Sequence, residues 1–172
     1  MSRYFAGLCI SVLLSNAALA KGGTLCTSAE TPVFTCYTGG KIVSLCAAGP
    51  KDFSHLRYAY GTPGKVELSW PADGVAAKDA FSHGIISYSG SGGDYVRFEK
   101  GGFSFNLFYV LGSRGGFDGV FVTKGEKNVR NLICSEDSSD DLTTEFFQQA
   151  KLPDVADGTN MLDVPDVFFK GR

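Results

Sequence analysis

The sequence predicts an all-β fold: an antiparallel β-sandwich or flattened barrel of about eight to nine strands, with a short C-terminal helix or irregular tail. Three observations lead there. About nine short runs alternate apolar and polar residues, as strands with one buried face do. Glycine-rich separators recur between them at hairpin spacing. Four cysteines remain once an N-terminal leader is set aside, an even number that suits two disulfides in an oxidising compartment.

Residues 1–20 read as that leader. Arg3 supplies a positive start, Phe5 to Leu14 an apolar stretch, and Ala18-Leu19-Ala20 an A-x-A cleavage signal. The apolar stretch is too short to span a bilayer, and no later segment reaches transmembrane length. Export to the periplasm or beyond follows. The rest divides into a sandwich domain over residues 21–134 and an acidic C-terminal extension over residues 135–172.

Strands are expected at Val33–Tyr37 and Lys41–Cys46, joined across Gly39-Gly40, then at Leu56–Tyr60 and Lys65–Trp70 around Gly61-Thr62-Pro63-Gly64. After a loop from Pro71 to Ala80 come Phe81–Tyr88, Tyr95–Glu99, Phe103–Val110, Gly119–Thr123 and a last strand near Asn128–Cys134. In the first hairpin Val43 falls opposite Cys36, and Cys46 falls opposite Val33. Cys36 and Cys46 then point to opposite faces and do not bond to each other. Two pairings stay open: Cys26–Cys36 with Cys46–Cys134, which is preferred, or Cys26–Cys46 with Cys36–Cys134. The spacing offers no C-x-x-C pair, so no structural zinc site is expected.

Beyond Cys134 the composition changes. Ser135–Arg172 holds nine acids against three bases, a net of −6, whereas the whole chain carries −2. A helix is expected over Leu142–Lys151 with Asp141 as its N-cap. The charge pattern lacks the dense basic stripe that nucleic-acid binding favours.

The stretch most open to a function is Ser89-Gly90-Ser91-Gly92-Gly93-Asp94-Tyr95, with three glycines in four positions. It is expected to form a stiff loop tip from which Ser91 projects into another molecule's cleft. Alternation puts Tyr95, Arg97 and Glu99 on one side and Val96 and Phe98 on the other, so Tyr95 is placed outside the core. Lys100, Lys124 and Lys127 stand in nearby turns. If they converge with Ser91, hydroxyl and ammonium donors would meet paired carboxylates. A catalytic kit is not legible. His55 and His83 are the 2 histidines, Ser89–Gly93 lacks the first glycine of G-x-S-x-G, and no pair of acids shows acid/base spacing. Neither enzyme activity nor a cofactor is therefore expected.

Ser91-Gly92-Gly93-Asp94-Tyr95 resembles the S-G-x-x-Y loop motif of bacterial periplasmic lysozyme inhibitors, and Phe121-Val122-Thr123-Lys124-Gly125 resembles their second motif. Size and the Phe34-Thr35-Cys36…Lys41-Ile42-Val43-Ser44-Leu45-Cys46 opening make the chain most similar to the inhibitors of invertebrate-type lysozyme. The resemblance covers about Val33 to Cys134. It implies a lysozyme as partner, with Ser91 and Gly92 entering the cleft, Tyr95 buttressing the loop or touching the enzyme, and Lys124 pairing with an acid at the rim. Lys100 rivals Lys124 for that contact, and Arg97 joins them as a partner-binding residue. Some family members are dimeric, which makes a homodimer part of the expectation. The alternative is an exported carbohydrate- or peptidoglycan-binding module built on Tyr95 and Trp70.

Overall fold

Alternating strands that bury one face each need a second layer, and here two sheets supply it for one another. The computed structural model describes residues 23–113, 115–156 and 163–169. The leader, residues 1–20, lies outside the described residues.

The first sheet is a meander of β1 (Thr31–Thr38), β2 (Lys41–Gly49), β3 (Asp52–Thr62) and β4 (Lys65–Trp70). The chain crosses by the short helix α1 (Ala77–Ala80) to a second meander of β5 (Ser82–Tyr88), β6 (Ser91–Lys100), β7 (Phe103–Gly112), β8 (Gly115–Lys124) and β9 (Lys127–Ile133). It then returns, and the two-residue strand β10 (Ser139–Asp140) pairs with β1. Five strands form each sheet, in the orders β10-β1-β2-β3-β4 and β5-β6-β7-β8-β9. The nine expected strands are all present, most of them longer than their alternation suggested, and β10 is an addition.

The facing sides bury Phe34, Leu45, Tyr58, Phe98 and Leu107 in one continuous core. Phe98 is its hub: its ring stacks on Phe105 at 4.6 Å and packs against Tyr58 at 4.8 Å. Such pairs each add about 1 kcal/mol beyond the area they bury.

The outer faces are covered too. On the first sheet the lead-in folds over β2 and β3, burying Leu25 with Ile42 and Ala59. Cys26–Cys46 staples it there, and Cys36–Cys134 ties β1 to the end of β9 on the core side. The preferred pairing is therefore corrected to the alternative one. Cys36 pairs with Val43 as expected, while a bulge at Val33 sets Cys46 opposite Pro32. Cys36 and Cys46 do face opposite sides, and the lead-in reaches only the outer one.

On the second sheet Ile86, Tyr95, Phe108, Val110 and Phe121 are covered by Val155, Val164 and Phe168 from the C-terminal segment. Tyr95 is 0% exposed, a correction to its placement outside the core. Alternation separated it from Val96 and Phe98 correctly. It could not show that a second apolar layer lies on that side.

The C-terminal segment is thus an integral part of the packing. Helix α2 (Thr144–Ala150) sends Phe146 and Phe147 into the main core. Its cap is Thr143 and not Asp141: the Thr143 hydroxyl accepts the Phe146 N–H at 3.3 Å. Lys151, in the left-handed region at φ 48°, ends the helix. The following residues run beside β5, where His83 N–H donates to Pro153 C=O at 2.8 Å and Val155 N–H donates to His83 C=O at 3.0 Å.

Candidate functional site

The turn between β5 and β6 is only Ser89-Gly90, with Tyr88 directly opposite Ser91. Gly90 supplies the positive φ, 79°, that such a tight connection needs. Ser91 is therefore the first residue of β6 rather than a loop tip, and Ser91, Gly92 and Gly93 all belong to the ladder. Ser91 is partly exposed. Across from it on β7 stands Gly112, where an added Cβ would come within 3.0 Å of the Ser91 Cβ. The hydroxyl thus sits on a rigid hairpin end with glycine across the strand and glycine on either side.

The other motif residues have tasks inside the fold. A side chain at Gly93 would run into the backbone of Tyr109. Asp94 accepts from or pairs with His83, Oδ1 to Nε2 at 2.8 Å. Tyr95 centres the outer-face core, its ring resting on Gly84. Ser91 and Asp94 alternate to opposite faces of β6, so the serine does not join the histidine and aspartate in a relay.

The expected donor set does not converge. Ser91 and Lys100 are the two ends of the 10-residue β6, and nine steps of about 3.3 Å separate them by about 30 Å. Register carries Lys124, at the end of β8, to the Lys100 end as well. Lys100 Nζ lies 4.7 Å from the Trp70 ring centroid and donates to the Ser69 carbonyl at 3.4 Å. Lys124 Nζ lies 5.3 Å from the Phe103 ring. Arg97 shares the outer face with Ser91 but is mid-strand, its Nε donating to Asn106 Oδ1 at 2.7 Å and its guanidinium 5.3 Å from the Tyr95 ring. Asn106 is fully buried and donates to the Phe121 carbonyl at 3.3 Å, so Arg97 supports a buried amide. Gly92 stays beside Ser91 as expected, paired with Leu111 and Ser87.

The aromatics of a sugar platform are equally engaged. Tyr95 is buried, and Trp70 stacks near Phe98 at 6.1 Å beneath the Lys100 ammonium.

Sequence reasoning missed what lies next to Ser91. Leu111, 58% exposed, flanks Gly92. On the outer face Tyr88 is met by a C-terminal 3-10 turn, Asp166–Phe169. The Tyr88 hydroxyl accepts the Val164 N–H at 2.7 Å, and its ring lies edge-on to Phe169 at 5.5 Å. Burial, and the carboxylates of Asp163 and Asp166 nearby, hold this phenol above its ordinary range despite the Val164 bond. The only signal in the sequence was an aromatic pair following a Val-Pro break, with no indication of where it docks.

Two disulfides fit an oxidising compartment outside the cytosol. Among the described residues no helix is long and apolar enough to cross a membrane. Compared with protein-family models, curated proteins and solved structures, the chain finds no match.

Proposed function

We propose that this protein is an exported inhibitor of lysozyme, of the invertebrate type, that acts through the Ser91 end of the β5–β6 hairpin. One observation carries the reading: a partly exposed serine stands on a two-residue hairpin end with glycine on each side and glycine across. Lysozyme chemistry uses one protonated and one ionised carboxyl group in a groove. A serine hydroxyl donates to the ionised one and accepts from the protonated one, and it offers no bond to cleave. Because the ladder already fixes it, little entropy is lost on docking. The periplasm is the matching location.

The lysine contact of the resemblance takes no part in this reading, since Lys100 and Lys124 stand at the far end of the sheet. Of the two aromatics named for a cell-wall-binding module, Tyr95 is buried, and the half-buried Trp70 packs against the core beneath Lys100.

A turbidity assay with invertebrate, chicken and goose lysozymes tests the proposal. The expected result is inhibition saturating at one protein per enzyme, weakened roughly 30-fold by Ser91→Ala, as for loss of a central anchor of about 2 kcal/mol. Full inhibition by a folded Ser91→Ala variant removes the hairpin from the mechanism. Pull-down by peptidoglycan with no inhibition assigns the module instead.

A further inference from the structure

Tyr88 and Ser91 are directly opposite, so their side chains share the outer face of the second sheet. Phe169 lies edge-on to Tyr88 and also to Phe117 of β8, at 5.0 Å. Phe117 follows the β7–β8 connection, so Phe169 bridges the two hairpins that make up the Ser91 end. Its neighbour Phe168 is the anchor. That ring occupies the space a Cβ at Gly119 would need, meets Phe108 edge-on at 4.9 Å, and is buried.

Phe169 is held on two sides and yet is 42% exposed, and Val167 on the same turn is 37% exposed. Aromatic residues, phenylalanine among them, are enriched at the core of protein interfaces, and one already fixed by its neighbours loses little side-chain freedom on docking. Among the described residues, Asp163 and Asp166 stand near Tyr88 at this end, whereas Lys100, Lys124 and Lys127 lie at the other.

We infer that Asp163–Phe169 and the Ser91 hairpin form one partner-binding surface, and that the partner meets it with a basic, partly apolar rim around its carboxylate pair. This rests on the inhibitor reading and supplies the second contact that the lysines do not. Phe169 and Val167 seat on the rim, and the two aspartates steer a cationic partner towards the Ser91 end.

The full chain and five variants test it against the inhibited lysozyme, with association and dissociation rates followed at low and high salt. F169A should raise the inhibition constant roughly tenfold, chiefly through faster dissociation. D163N/D166N should slow association severalfold at low salt, a difference that vanishes at high salt. V167K, which leaves the packed aromatics in place, should weaken binding with circular dichroism unchanged, and this keeps the test decisive should F169A fold poorly. K100A/K124A should match the wild type, and S91A should weaken inhibition roughly 30-fold. Wild-type constants for F169A or V167K, and for D163N/D166N, with S91A still defective, overturn the inference and leave the inhibitor reading standing. No inhibition by the wild type overturns both.

Discussion

Asp94 Oδ1 lies 2.8 Å from His83 Nε2, and the same imidazole stacks on Phe147 with ring centroids 4.1 Å apart. One histidine therefore joins the fourth residue of the Ser91–Tyr95 motif to a helix from the far end of the chain. Asp94→Ala should lower stability by about 1 kcal/mol, the worth of one partly buried hydrogen bond. His83→Ala, which also forfeits the stack, should cost more. Urea midpoints for both and for the double variant check this; additive losses would mean that the two side chains are not coupled.

Tyr95 should behave as a core residue. Tyr95→Ala is expected to cost about 3–5 kcal/mol, the range for deleting a fully buried aromatic. Gly84→Ala should destabilise by about 1–3 kcal/mol, because the new methyl group would overlap the Tyr95 ring. A Tyr95→Ala protein with wild-type melting would contradict the buried outer layer.

Glu30 and Arg57 predict an acid limb. The Glu30 carboxylate accepts from Arg57 Nε and Nη2, each at 2.7 Å. Those bonds hold the carboxyl below its ordinary value of 4.5, against the opposing effect of burial. A group depressed in the folded state stabilises above its unfolded pKa, and that stability is lost as the pH falls through the folded value. Glu30→Gln should therefore be less stable at neutral pH and lose less on acidification. Urea midpoints at about pH 7 and about pH 3 measure the difference, and parallel losses would rule the pair out as its source.

The two disulfides should contribute unequally. Cys36–Cys134 spans 98 residues of sequence and Cys26–Cys46 spans 20. In the chain-entropy account the longer loop stabilises by about 1 kcal/mol more. Paired Cys→Ser replacements, compared by denaturant unfolding, should show Cys36/Cys134 to be the costlier loss.

Much of the architecture was legible because its punctuation is chemical. Gly39-Gly40, Gly64, Gly90 and Gly101-Gly102 end the runs where the turns occur, and alternation assigns Val96 and Phe98 to the core correctly. The distance between Ser91 and Lys100 was not legible, because the glycine run suggests a loop tip at Ser91, which is the first residue of the strand that ends at Lys100. What else stayed hidden depends on which segment covers which face. Alternation tells that Tyr95 and Val96 point apart, but Phe168 reaches Tyr95's side from 73 residues further along. The choice between disulfide pairings failed likewise, because it turns on the lead-in crossing the outer side of β2. At the candidate site, the glycines advertised Ser91, whereas Tyr88 and Phe169 carried no mark of their adjacency.

Leu142, Phe146, Phe147, Ala150 and Leu152 finish the hydrophobic layer between the sheets, and Val155, Val164 and Phe168 finish a separate one outside them. A recombinant fragment cut at Cys134 would consequently leave Phe34, Leu45, Ile86, Tyr95 and Phe121 short of their cover. Such a fragment should precipitate on expression or bind hydrophobic dyes, and a cargo fused close behind Phe169 would press on the very aromatic that braces both hairpins.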